Sequence, residues 1–87
     1  MKNKTLCVKK VLGATRIELH AYVNTLTAHL KGYIGITLDF SGIESISEEC
    51  ARELFVMWVK NNPRVTLTVV KACEDVEKTI HQVLKRR

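Results

Sequence analysis

Residues 36–55 read ITLDFSGIESISEECARELF, and the way this stretch changes character decides the fold. From Tyr33 to Phe40 the chain is rich in β-branched, aromatic and other apolar residues, which fit a strand. Its near-continuous apolarity predicts a strand covered on both faces, as in a parallel sheet. Ser41 to Ile46 is short, polar and interrupted by Gly42, so it reads as a turn. Ser47 can cap a helix through its side-chain oxygen, and the carboxylates of Glu48 and Glu49 then face the positive end of the helix dipole. Ala51, Leu54, Phe55, Trp58 and Val59 make a broad apolar face, and Asn61-Asn62-Pro63 stops the helix.

Working outward, Thr5 to Leu12 reads as a first strand ended by Gly13. Thr15-Arg16-Ile17-Glu18 has the form of a capping box, in which hydroxyl and carboxylate each satisfy a free N–H at the helix start. Leu19, Val23, Leu26 and Leu30 follow at helical spacing, with Gly32 placed to stop the helix. Val65 to Val70 is a third strand, and Glu74 to about Lys85 a last helix with acids at its start and bases at its end. The expected fold is α/β: one small β-α-β-α-β-α domain over residues 1–87, its mostly parallel sheet packed with helices.

Composition bounds the function. An 87-residue chain holds one core and buries roughly 60–65% of the surface its unfolded form exposes. A hydrophobic fraction of 46% argues against disorder. The longest apolar run, Leu54 to Val59, is far short of the roughly 20 residues that cross a bilayer, so no membrane partner is expected. The basic start, Met1 to Lys4, leads into no long apolar region and does not read as a signal peptide. Cys7, Cys50 and Cys73 are odd in number and form no C-x-x-C pair, which suits reduced thiols in the cytoplasm. The net charge of +5 comes largely from Lys2, Lys4, Lys9 and Lys10 at the front and Lys85, Arg86 and Arg87 at the back. Such tails serve solubility more often than recognition.

Catalytic motifs are missing. No Walker loop, dinucleotide fingerprint or nucleophile elbow occurs, so neither an enzyme nor a cofactor is expected. His20, His29 and His81 lack the spacing that would aim two rings at one metal, and no metal site is expected. Cys7 and Cys73 read as small core residues. Cys50, in the first turn of a helix, reads as core or rim, although the dipole there favours a thiolate. Asp39 ends the central strand on the sheet edge where α/β proteins gather binding sites, and its simplest role is to accept hydrogen bonds from the following turn.

The same stretch resembles the central motif of STAS domains, the fold of anti-sigma-factor antagonists and of sulphate-transporter cytoplasmic ends. Their pattern is an apolar strand, Asp-Leu-Ser-Gly-Val, a link ending in Ile, then Asp-Ser-Ser-Gly and an apolar helix. Asp39-Phe40-Ser41-Gly42-Ile43 takes the first part, Ile46 ends the link, and Ser47-Glu48-Glu49-Cys50 falls on Asp-Ser-Ser-Gly. The chain is most similar to the compact STAS-like family of unknown function, from Arg16 to the basic C-terminus. The resemblance implies a non-enzymatic, regulatory protein–protein interaction domain of partner-switching type, its partner carrying a histidine-kinase-type ATPase fold. It implies a partner surface at Asp39, Ser41, Ser45, Ser47, Glu48 and Glu49. In antagonists the first serine of Asp-Ser-Ser-Gly is phosphorylated; here that position is Glu48, a permanent negative charge, and Cys50 replaces the glycine. Ser47, one residue earlier, is the candidate acceptor, with N-capping as its simpler role. The alternative is a small basic nucleic-acid-binding regulator using the terminal lysines and arginines, which the scattered aromatics do not favour.

Overall fold

The computed structural model describes residues 2–85. Three strands, β1 (Asn3–Cys7), β3 (Gly35–Asp39) and β5 (Thr66–Val70), form one parallel sheet in the order β1-β3-β5. A second, two-stranded parallel sheet joins β2 (Arg16–Ile17) to β4 (Ser45–Ile46). The helices are α1 (Val8–Leu12), α2 (His20–Ala28), α3 (Glu48–Arg52), α4 (Val59–Asn61) and α5 (Glu74–Lys85). A π-helical segment, Glu53–Trp58, joins α3 to α4 in one rod over 48–61. The small α/β domain with a parallel sheet packed with helices is therefore present. No helix among the described residues is long and apolar enough to cross a membrane.

The sheet is covered on one face only, which corrects the expectation of two covered faces. Along β3, Ile36 and Leu38 are buried while Gly35, Thr37 and Asp39 are half-buried. Register carries the same division across the sheet. Leu6, Leu38 and Val69 form one row toward the helices, whereas Thr5, Thr37 and Thr68 form a row on the opposite face. Asn3, Thr5, Thr66 and Thr68 on that second face are exposed. What looked like an uninterrupted apolar strand alternates after all, because threonine is β-branched yet tolerates water.

Two local signals lose to tertiary contacts. The strand expected over Thr5–Leu12 ends at Cys7, and the remainder is a short helix. Val8, Val11 and Leu12 stand at helical spacing and pack on the core, and Gly13 closes the helix with φ of 64° and an N–H to the Lys9 carbonyl at 2.8 Å. The capping box at Thr15–Glu18 opens no helix. Arg16 and Ile17 are strand, Ile17 is buried at 1% exposure, and the helix starts at His20 after an N-cap residue, Leu19, with no side-chain capping bond. Burying Ile17 is worth roughly 1.5–3 kcal/mol, more than the ~1 kcal/mol of a cap. The helix also stops at Ala28, before Gly32, which with φ of 86° sits in the turn that follows.

The rod over 48–61 buries Cys50, Ala51, Leu54 and Phe55, and Val56 and Trp58 pack against the core beside them. Phe40 and Phe55 meet across the layers with ring centroids 6.4 Å apart. His20 Nδ1 lies 2.5 Å from Glu53 Oε2, tying the start of α2 to the rod.

If Ile17 is a strand residue held by β4, Ile17→Ala should lower unfolding free energy by about 2–5 kcal/mol. Thr15→Ala should change it by under about 0.5 kcal/mol, as for an ordinary surface site. Urea titration of both variants checks this; a loss near 1 kcal/mol for Thr15→Ala would restore the capping box.

Candidate functional site: the sheet edge and the start of the rod

The corner is built where the C-terminal edge of the sheet meets the rod. Phe40 N–H donates to Val70 carbonyl at 3.0 Å, and Ile43 N–H closes a turn onto the Phe40 carbonyl at 3.0 Å. Gly42 occupies the third position of that turn with φ of 79°, which a side chain rarely adopts. The Lys9 side chain lies across it: a Cβ on Gly42 would sit 2.8 Å from Lys9 Cδ. That contact involves the flexible end of a lysine, so the backbone angle is the stronger constraint.

The loop after the turn is clamped to a distant part of the chain. Glu44 N–H donates to the Thr15 carbonyl at 2.7 Å, and Ser47 N–H donates to the Ile17 carbonyl at 2.9 Å. Arg16 and Glu44 add an exposed ion pair at 3.9 Å, which in water contributes little. Cys73 is exposed, not a core residue as expected, and its Sγ lies 3.5 Å from the carbonyls of Ile43 and Glu44. Cys50 is buried and Cys7 half-buried. Lys9, Arg16 and Cys73 thus shape the corner. Only a strand-pairing argument joining residues far apart in sequence could have found them.

Ser47 is the N-cap, with extended backbone (φ −71°, ψ 155°), and its Oγ accepts the Cys50 N–H at 3.2 Å. Its hydroxyl is half-buried, whereas Glu48 and Glu49 in the first turn are exposed. Ser45 is half-buried within β4, opposite Arg16. Ser45, Ser47, Glu48 and Glu49 therefore share one corner, with Ser41 at the turn leading into it.

Asp39 is set apart. It follows Leu38, whose side chain faces the helices, so Asp39 faces the uncovered side of the sheet. Its Oδ1 accepts the Ser41 N–H at 2.9 Å. The Ser41 hydroxyl first, then that N–H, and lastly the charge of Lys71 hold the carboxyl below the usual range, against a partial desolvation that raises it. Lys71 adopts a left-handed backbone, φ 57°, at the end of β5.

No group of three or more His, Cys, Asp or Glu side chains converges among the described residues. The corner offers a capped helix end, two exposed carboxylates and a backbone-fixed loop, which suit hydrogen-bonded and charged contacts with another molecule. In comparisons with known proteins, no family model, no curated protein and no solved structure matches this chain.

Ser47→Ala should cost about 1 kcal/mol by removing the cap, and Gly42→Ala about 1–2 kcal/mol through its positive φ, both read from urea midpoints. Asp39 gives a pH signature. A depressed folded pKa stabilises fully above the unfolded value of roughly 3.9, and the benefit is lost as pH falls through the lower folded value. Wild type should therefore exceed Asp39→Asn in urea midpoint at pH 6, and the gap should shrink as the solution is taken below about pH 4. A gap that is constant from neutral to strongly acid solution would contradict the assignment.

Proposed function

We infer that this chain is a non-catalytic, cytoplasmic interaction domain of STAS type, which engages a protein partner through the loop 41–47 and the start of α3. The observation that carries this reading is the exposure of Glu48 and Glu49 on a helix end whose cap, Ser47, and whose leading loop are both fixed by backbone hydrogen bonds. A pre-ordered surface loses little conformational freedom on binding, which favours recognition by a rigid partner. Support for the family comes from the residues Asp39-Phe40-Ser41-Gly42-Ile43 and the capped helix that follows. A partner with the histidine-kinase-type ATPase fold is what that resemblance implies.

Glu48 shapes the regulation in this reading. A carboxylate at the first helical position supplies at all times the charge that a phosphoserine would supply conditionally. The chain would then be held in one state toward its partner. Phosphate on Ser47 would exchange its capping hydroxyl for a dianion beside two carboxylates, a crowding that only a cationic partner would relieve.

Co-purification of the tagged chain from native cells, followed by mass spectrometry, should recover one partner. A folded Glu48→Lys variant should retain it roughly tenfold less well, the effect expected of reversing a charge at a binding surface. Equal recovery by wild type and Glu48→Lys would remove this surface from consideration.

A second reading rests on Lys2, Lys4, Lys9 and Lys10, all exposed along β1 and α1. Together they could follow a phosphate backbone. Arg86 and Arg87 of the opposite cluster lie outside the described residues. Four such contacts predict a slope of about −3 to −4 for log affinity against log salt. A gel shift at two salt concentrations separates this reading from the first.

A further inference from the structure

The β5 edge of the main sheet carries the inference. In the order β1-β3-β5, both outer strands have one unpaired side among the described residues. The two edges differ. Lys2 and Lys4 stand on or beside β1, and lysine on an edge discourages added strands. From Val65 to Val70 the β5 edge bears no charge and no proline, and it is rich in β-branched residues. By that measure it is unprotected.

Backbone direction makes this edge usable. Thr66 N–H donates to the Ile34 carbonyl at 2.8 Å, and Phe40 N–H donates to the Val70 carbonyl at 3.0 Å. Residues 66 and 70 therefore bond inward to β3, and by the two-residue alternation of a strand Leu67 and Val69 direct their N–H and C=O groups outward. Their side chains belong to the helix-facing rows, yet both are only half-buried. In the same rows Leu6 is 4%, Ile36 1% and Leu38 0% exposed. The helical layer thus stops short of β5, and a fourth strand would finish covering it.

Charge selects the occupant. The edge is bracketed by Arg64 and Lys71, both exposed, on a chain of net charge +5. A second copy, paired antiparallel about Thr68, would set Val65 against Lys71 of the other copy and bring the two like-charged ends together twice. An extended segment with acidic residues at its ends meets the opposite situation. We propose that the β5 edge takes, as a fourth strand, an extended peptide segment of a protein partner, with apolar residues alternating toward the helices and acidic residues flanking both ends. Main-chain bonds to Leu67 and Val69 supply the pairing, and Arg64 and Lys71 supply the selection. This edge is separate from the Glu48 corner, so either surface can fail without the other.

The test titrates the full chain with the blocked peptide EETVTVTEE, following amide signals by NMR and affinity by calorimetry. The Leu67 and Val69 amides should shift and gain protection from hydrogen exchange. The peptide KKTVTVTKK should bind roughly tenfold more weakly, and the Arg64→Glu/Lys71→Glu double variant should reverse that preference. Both substituted residues are exposed, and circular dichroism of the variant verifies its fold. Unshifted Leu67 and Val69 amides at millimolar peptide overturn the proposal. So does equal binding of the two peptides, and so does concentration-dependent self-association that protects the same amides, which would make the occupant a second copy.

Discussion

Two backbone hydrogen bonds, from Glu44 to Thr15 and from Ser47 to Ile17, hold the architecture of the corner. They join segments some thirty residues apart in the chain, and each serves two purposes. They satisfy polar groups on a loop that would otherwise need water, and they place the buried Ile17 and Ile46 together. Everything beyond depends on that junction. The direction in which the rod leaves Ser47 follows from it, and so does the exposure of the two carboxylates on its first turn. A loop held only at its ends would present the same residues over many orientations.

The electrostatics of the corner come from ordinary helix chemistry. Glu48 and Glu49 lie where the dipole favours anions, worth about 0.3–1 kcal/mol each at an exposed site. Glu74, Asp75 and Glu77 open α5, which packs against α3, so two acidic helix starts belong to neighbouring helices. Lys9 reaches over Gly42 at the corner, whereas Lys2 and Lys4 stand on or beside β1. A chain that is basic in total thus opens two neighbouring helices with acids, a detail that net charge alone conceals.

Much of this was legible in the sequence. The three main strands, their parallel arrangement and the last helix follow from periodicity, and Ser47 as N-cap followed from its type and its acidic followers. What could not be read was set by contacts across the chain. Thr15-Arg16-Ile17-Glu18 carries a sound local signal for a helix start, but Ile17 pairs with a segment that no local window includes. Val8, Val11 and Leu12 fit a strand or a helix equally well until the core assigns them one side. Thr37 hid the open face of β3, because its shape suits a covered strand and its hydroxyl suits water. At the site, Asp39 looked like one member of a cluster; the pleat of the strand turns it to the other face of the sheet.

The single-sided sheet divides the chain's freedom to change. Ile36 and Leu38 are answerable to the core, and almost any replacement there disturbs packing. Thr5 and Thr68 answer only to the backbone propensity of a strand and to water. Across the middle of this small protein runs a surface on which substitutions cost little stability, so its chemistry is open to change while the Glu48 corner and the hydrophobic layer are left as they are.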